Sequence, residues 1–401
     1  MNSEEKYIRV GTDYYQITKK PDLYGELAYC RLKWKKDTIK DDFGKEYLSS
    51  INKYKGFIMH PSHTNYKPVV GGFFNEYFPL QVHPAEGEFK ITEQFLKPLF
   101  KEHYELFLDY MSILWRFPSQ ILPILCIVSE ERHTGKTTFL NWIKYIFYKN
   151  MRIISSKDIE SDFNSDWVGS LLIAVDEAKF KNKSTMDRIK ELSTAKYQNA
   201  HKKGVDKYEI PFFGKFILTS NHVNDFIFVD NLEIRYWIRE IEPVKNDIPN
   251  LSSKLEEETP AFLHHIATRE IITPKTTRMW FSKKDILTSA LEKLTRQEKA
   301  TLENEIKTCL IEILEYFDLE EIKFNLKELV ELLKEYSTKV TYSDLKNVIE
   351  GKWCLEKSSD PTTYKKHVKN YDEYLKKFVV TKQPKTGRVY TFQKCFLTDI
   401  I

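Results

Sequence analysis

The stretch from Ile124 to Phe147 confines this chain more tightly than any other: five apolar residues, Ile124 to Val128, run into a polar loop ending Gly135-Lys136-Thr137. An unbroken apolar run of that length predicts a strand covered on both faces, as in a parallel α/β sheet. Phe139, Trp142, Ile143, Ile146 and Phe147 then recur at helical spacing. The loop therefore sits at a helix N-terminus, where unpaired N–H groups and the helix dipole favour an anion. In such a clamp Lys136 reaches the terminal phosphates of a nucleotide, and the Thr137 hydroxyl ligates a magnesium ion held by them. The full phosphate-loop pattern has a glycine five positions before Gly135, where this chain has Glu130. The plain alternative is an ordinary capped turn.

At 401 residues the chain is long enough for two or three domains. Its 41% apolar and 30% charged content contains no apolar run near the ~20 residues that cross a bilayer, so no membrane partner is expected. The opening MNSEEKYIRV lacks the apolar core of a secretion signal. Cys30, Cys126, Cys309, Cys354 and Cys395 stand far apart without zinc-ligand spacing, which points to a reducing cytoplasm. The net charge of +4 does not by itself identify a nucleic-acid partner. Between Lys179 and Lys207, however, nine Lys/Arg face three Asp/Glu.

That basic segment lies between two further motifs. Leu171 to Val175 is a second apolar run, ending in Asp176 and Glu177, the first of them forty residues after Lys136. Strand C-termini of open α/β sheets point into the ligand crevice. There Asp176 would hold the magnesium shell and Glu177 would polarise the attacking water. Phe216 to Ser220 predicts a third strand, ending in Asn221, which can orient that water or touch the γ-phosphate, or simply start a turn. Ile234 to Arg239 alternates like a strand with Arg235 and Arg239 on one face, and either can stabilise transition-state charge from a neighbouring subunit.

The order GKTTF at 135–139, the strand ending Asp176-Glu177, the basic segment, the TSN at 219–221 and the Arg235 strand resembles the superfamily 3 helicases of the AAA+ class, especially the phage, plasmid and poxvirus-type primase-helicases. Arg116 to Gln120 ahead of Leu122-Pro123-Ile124 looks like that family's lead-in, and Leu251 to Leu263 like its Glu-rich segment, with Ala261 in place of glycine. The likeness covers residues 105 to 265 well and the flanks weakly. It implies an ATP-dependent DNA helicase motor working as a ring, a hexamer, on single-stranded DNA. ATP and Mg2+ would be the cofactors, held by Thr134, Gly135, Lys136, Thr137 and Thr138, with Thr137 and Asp176 on the metal. Lys136, Asp176, Glu177, Asn221 and Arg235 would be catalytic, Arg235 acting in trans with Arg239 in reserve. Glu130 sets a charge beside phosphate, which Arg132 and His133 can offset. Such helicases project a hairpin into the ring pore from the segment after the carboxylates, and His201, Lys202 and Lys203 match its tip, where Lys202 and Lys203 neutralise phosphates without reading sequence. Residues 1–90 are too short for a primase domain, so priming would belong to a separate primase or polymerase or to a portion absent from this chain. The rival reading is an ATP-regulated replication initiator or scaffold that unwinds nothing.

The expected architecture is α/β: an N-terminal α+β accessory region at 1–90, a helical collar at 91–120, an AAA+-like P-loop core with a parallel sheet at 121–270, a helical connector at 271–319 and a winged-helix-like domain at 320–401. In the collar, Leu106, Phe107, Tyr110, Met111 and Leu114 form a stripe read as the packing site of ring subunits, with intradomain core as its alternative. His60, His63 and His83 lack ligand partners at metal spacing. Helices are expected at 284–294 and 302–317, another capped by Asn325 with Glu328 three residues on, and a short one near 343–350 before a strand at Trp353-Cys354-Leu355. The last domain can place a helix in a DNA groove or dock a protein, and Asp318, Glu320 and Glu321 oppose a uniformly basic surface.

Overall fold

The computed structural model describes residues 6–21, 27–180, 183–201, 204, 206–224, 226–227, 235–243, 248–335, 340–365, 370–372, 377–379 and 384–399. The chain divides into two compact units, Met1–Lys293 and Leu294–Ile401.

The first unit is organised by a five-stranded parallel sheet. Its strands, in chain order, are Ile124–Val128, Met151–Ile154, Leu172–Val175, Lys215–Ser220 and Tyr236–Glu240. Across the sheet they stand fifth, first, fourth, third, second. The three inner strands are buried at every position, as sheets covered on both faces require. The edge strand Met151–Ile154 leaves Ile153 exposed. Gly214 marks a close approach, since a Cβ there would lie 2.8 Å from the Ile173 side chain.

Helix Lys136–Phe147 leaves the first strand with Phe139, Trp142, Ile143, Ile146 and Phe147 buried, matching the spacing read from sequence. Helices Lys90–Phe100, Tyr104–Arg116 and Leu251–Thr268 pack into the same apolar core. Here the collar reading needs correction. Phe107, Tyr110, Met111 and Leu114 are spent on the chain's own core, among Phe100, Phe139, Trp237 and Phe281, and Leu106 packs against its edge. A stripe already buried at intradomain contacts presents no free face to a neighbouring subunit. Pro260 sits inside the third of these helices, and Trp142 Nε1 donates to the buried Thr259 hydroxyl at 3.0 Å.

Residues ahead of the collar belong to this same compact unit. Strands Tyr7–Val10, Asp13–Pro21, Leu27–Trp34 and Asn52–Tyr54 make a four-stranded sheet over a small core of Tyr7, Tyr14, Ile39 and Ile51. The segment after it is tied to the body around the parallel sheet by side-chain hydrogen bonds. Asn150 exchanges both amide bonds with Phe78, at 2.9 and 2.8 Å. His63 is fixed between the Trp115 carbonyl at 2.9 Å and the Tyr77 hydroxyl at 2.6 Å, a core histidine.

Two expectations downstream change. The separate helices foreseen at 284–294 and 302–317 are a short turn of helix, Lys283–Ile286, and one helix, Ser289–Tyr316, because the intervening residues include no Gly or Pro to break it. Trp353-Cys354-Leu355 is no strand: the Trp353 indole donates to Glu303 at 2.8 Å and Cys354 adopts a φ of 52°.

The second unit has its own core, with Leu310, Leu314, Phe324, Leu329, Leu333, Ile349 and Phe392 buried in it. Helices Leu326–Glu335 and Tyr342–Lys346 accompany three antiparallel strand pairs, Glu321–Phe324 with Tyr390–Gln393, Thr362–Lys365 with Pro384–Gly387, and Asn370–Asp372 with Lys377–Val379. Asn325 caps as foreseen, its Oδ1 accepting from Glu328 N at 3.0 Å. The Glu328 carboxylate turns instead to the Tyr364 hydroxyl at 2.7 Å and Lys385 at 3.0 Å. Among the described residues no helix is long and apolar enough to cross a membrane, and all five cysteines are free thiols.

Candidate functional site

All five strands of the main sheet run parallel, so their C-terminal ends share one edge. The fourth strand, Lys215–Ser220, lies between the first and the third. Its tip is tied to both neighbours: Ser129 N donates to Ser220 O at 3.1 Å, and Ala178 N to Thr219 O at 2.7 Å. The Ser220 hydroxyl adds a bond to Ala178 O at 2.6 Å. This interleaving brings the Gly-Lys-Thr loop, the two carboxylates and Asn221 to one place. They line a cavity of about 510 Å3, with Arg132 to Thr138 on one side, Asp176 and Glu177 on another, and Ser220 and Asn221 between.

The loop reaches its shape through two left-handed residues, His133 with φ 58° and Gly135 with φ 88°. Gly135 caps the helix, which begins at Lys136. A residue with a Cβ would be strained there. Thr134 is buried beneath the turn. The Lys136 ammonium curls over the loop, 3.2 Å from Thr134 Oγ1 and 3.4 Å from the carbonyls of Ser129 and Glu131. Partial burial lowers its pKa, and the charge of Asp176 works against that shift. These contacts are long, and the ammonium would exchange them readily for phosphate oxygens.

Asp176 Oδ1 accepts from the buried Thr219 hydroxyl and from Glu177 N at 3.1 Å. Glu177 itself has φ 53°, a conformation uncommon for a non-glycine residue and concentrated at functional sites. Asn221 is exposed at the strand tip. Thr219 and Ser220 entered the sequence reading as part of the TSN at 219–221 and were given no role at the site. The signal was there, since two hydroxyl residues ending an apolar run must find partners once buried.

Glu130, the departure from the phosphate-loop pattern, does not line the cavity. Its carboxylate accepts from Asn224 Nδ2 at 3.2 Å, while Arg132 and His133 of the same loop face the cavity.

Two predicted groups lie elsewhere. Arg235 precedes the fifth strand and its carbonyl accepts from Ile124 N at 2.7 Å, at the N-terminal end of the sheet. Five residues of strand at about 3.3 Å each put roughly 16 Å between that end and the edge bearing the cavity. Arg235 is therefore not a member of its own chain's site. Arg239, held in reserve for the same role, is buried and bonded to Glu102 at 2.7 Å. It is committed inside the chain and leaves that list.

The segment between the carboxylates and Asn221 forms helix Lys183–Leu192 and then an antiparallel hairpin, Tyr197–Ala200 with Tyr208–Pro211. His201 begins its tip and meets the Phe163 ring at a tilt of 36°, with centroids 4.7 Å apart. Gly204, at φ 77°, turns the chain. Lys202 and Lys203 lie outside the described residues.

The donor set fits a nucleoside triphosphate with a hard divalent ion. Backbone amides at the helix start and Lys136 suit phosphate oxygens, while the Thr137 hydroxyl and the Asp176 carboxylate are the oxygen ligands that magnesium prefers.

Comparison with known proteins bears on the fold and stays silent on activity. A protein family described as a family of unknown function, DUF5906, matches residues 127–235, the span from the end of the first strand to Arg235. No curated protein matches. Among solved structures, "The apo structure of NrS-1 C terminal region (305-718)" superposes with a TM-score of 0.57 at 14% identity, covering 96% of this chain and 95% of that one. "The A form apo structure of NrS-1 C terminal region-CTR" gives 0.55 at 16% identity over 84% of this chain and 81% of that one. At such identities what is shared is the fold, and it extends over both units of the chain.

Proposed function

We propose that this chain is an ATP hydrolase of the superfamily 3 helicase type, a ring-forming motor that moves on single-stranded DNA during replication of a phage, plasmid or other mobile element. The observation that carries the reading is the cavity itself, lined at once by Gly135 to Thr138, by Asp176 and Glu177, and by Asn221. Thr134 to Thr138 would hold the phosphates of ATP, and Thr137 with Asp176 would hold Mg2+, whose charge neutralises the β- and γ-oxygens when bound. Glu177 orients the lytic water and draws its proton. Asn221 holds the γ-phosphate, and Lys136 neutralises charge that builds on it.

Arg235 stands at the opposite end of the sheet, so it serves hydrolysis only by reaching the cavity of the next subunit. The reading therefore casts Arg235 as a finger in trans. His201, Lys202 and Lys203 would grip the strand in the pore, and the C-terminal unit is read as a winged-helix module. The test is ATP hydrolysis with and without single-stranded DNA, run beside a strand-displacement assay and the particle mass with ATP. Hydrolysis stimulated by single strands, displacement of a duplex and a ring-sized particle are expected. ATP binding without displacement would favour an ATP-regulated initiator or scaffold instead, and absence of ATP binding would end the reading.

A further inference from the structure

The hairpin and the nucleotide cavity sit at different ends of the sheet. The helix Lys183–Leu192 leaves from the carboxylate edge, and after the hairpin the chain re-enters the sheet at Lys215, the first residue of the strand that ends in Asn221. Ten helical residues at about 1.5 Å each span roughly 15 Å. Any motion at the cavity must be carried over that distance by something stiff.

We propose that Asn164 is the positioning residue that locks the hairpin to the nucleotide-sensing part of the fold, so that a change at the carboxylates moves the hairpin as one body. The inference rests on the motor reading above. Asn164 is only 4% exposed, and its side chain is used at both ends on the hairpin: Nδ2 donates to Asn199 O at 2.9 Å and Oδ1 accepts from His201 N at 2.8 Å. Its own N–H donates to His201 O at 3.2 Å, joined by Ser165 N at 3.3 Å. The hairpin tip is thereby bonded to the loop at 161–168 through backbone and side chain together. That loop is in turn bonded to the helix that follows the carboxylates. Arg188 Nη1 donates to Ser161 O at 3.0 Å, and just ahead of the loop Glu160 Oε1 accepts from the Thr185 hydroxyl at 3.3 Å.

The bonded route begins on helix Lys183–Leu192, which follows the carboxylates in the chain, crosses from Arg188 to the loop, and passes through Asn164 to the hairpin. Asn164 touches neither the cavity nor a phosphate, so its effect is on transmission. Buried and bonded through both its amide nitrogen and its amide oxygen, it has a discrete geometry to transmit. An exposed asparagine would not.

The experiment compares wild type with Asn164→Ala and, because a buried amide can be needed for folding, with Arg188→Gln, which cuts the same route at a partly exposed side chain. Thermal melting confirms that each variant is folded. In both, the factor by which single-stranded DNA raises ATP hydrolysis is expected to fall about fivefold, a coupling loss of about 1 kcal/mol, while the KM for ATP without DNA stays within about twofold. Amide exchange supplies a readout that packing alone would not move. Addition of ATP should alter exchange across 197–211 in wild type and leave it unaltered in the variants. Folded variants that keep full DNA stimulation, or whose hairpin exchange still responds to ATP, overturn the lock. A wild-type chain that never hydrolyses ATP overturns the motor reading instead, so the two failures are distinct.

Discussion

Two lysines, one at each end of the same sheet, show how position decides what a charge is for. Lys136 stands at the C-terminal edge with its ammonium in long contacts at 3.2 to 3.4 Å, lining an open cavity. Lys215 begins the fourth strand at the other edge, is 2% exposed, and donates to the carbonyls of Pro118 and Phe213. Burial pushes its pKa down to about 7. Nearby His63 is pushed down to about 4, first by burial and further by the Lys215 charge, against the pull of its bond to Trp115 O. One end keeps its polar groups available, and the other consumes them in holding loops to the sheet. Open α/β sheets use their strand C-termini in this way because loops there diverge around a crevice.

The sharpest way to break that comparison is at the cavity. Glu177→Gln should lower kcat for ATP about 10³-fold with little change in nucleotide affinity, since it removes the proton acceptor and leaves the phosphate contacts. Equal losses in binding and turnover would show that Glu177 holds the loop and not the water. Lys136→Ala should cost about 10²-fold in kcat/KM, whereas a folded Lys215→Met should stay within about threefold of wild type. Were Lys215→Met as inactive as Lys136→Ala, the division of labour between the two edges would be wrong.

Smaller effects test the buried edge by pH. Because the folded pKa of Lys215 is about 7 against an unfolded value of 10.5, the unfolded chain binds more protons between those limits, and stability rises with pH across that window. Wild type should accordingly gain on Lys215→Met between pH 7 and pH 9 by at most about 1.4 kcal/mol per unit in urea denaturation. His63, also lowered when folded, contributes stability that is present above its ordinary 6.5 and lost as pH falls to about 4. His63→Gln should flatten that acid limb by up to about 3 kcal/mol. A limb as steep in the variant would place the acid sensitivity in other groups.

Much of the site could be read directly from the chain. Strand–loop–helix order around Gly135, the pair Asp176-Glu177 and the polar end of the strand at Asn221 are local patterns, and local patterns survive translation into structure. The stripe at Phe107, Tyr110, Met111 and Leu114 could not be allotted, because apolar periodicity states that a face is covered and not by what. The same limit applied to Arg235 and Arg239: four residues apart and on one face, they differ in that one meets Glu102 inside the chain. Glu130 seemed a hazard to phosphate until Asn224, ninety-four positions away, was found beside it.

The strand–loop–helix order around Gly135 and the polar termini of three strands were determined by sequence alone, since each depends on neighbours along the chain. Tertiary structure alone decided the strand order that sets Asn221 between the loop and the carboxylates, the burial of Lys215, and the grip of Asn164 on the hairpin. The physical reason is range: propensity and periodicity act over a few residues, whereas these contacts join segments from thirty-five to nearly a hundred residues apart, and only packing brings such segments within hydrogen-bond reach.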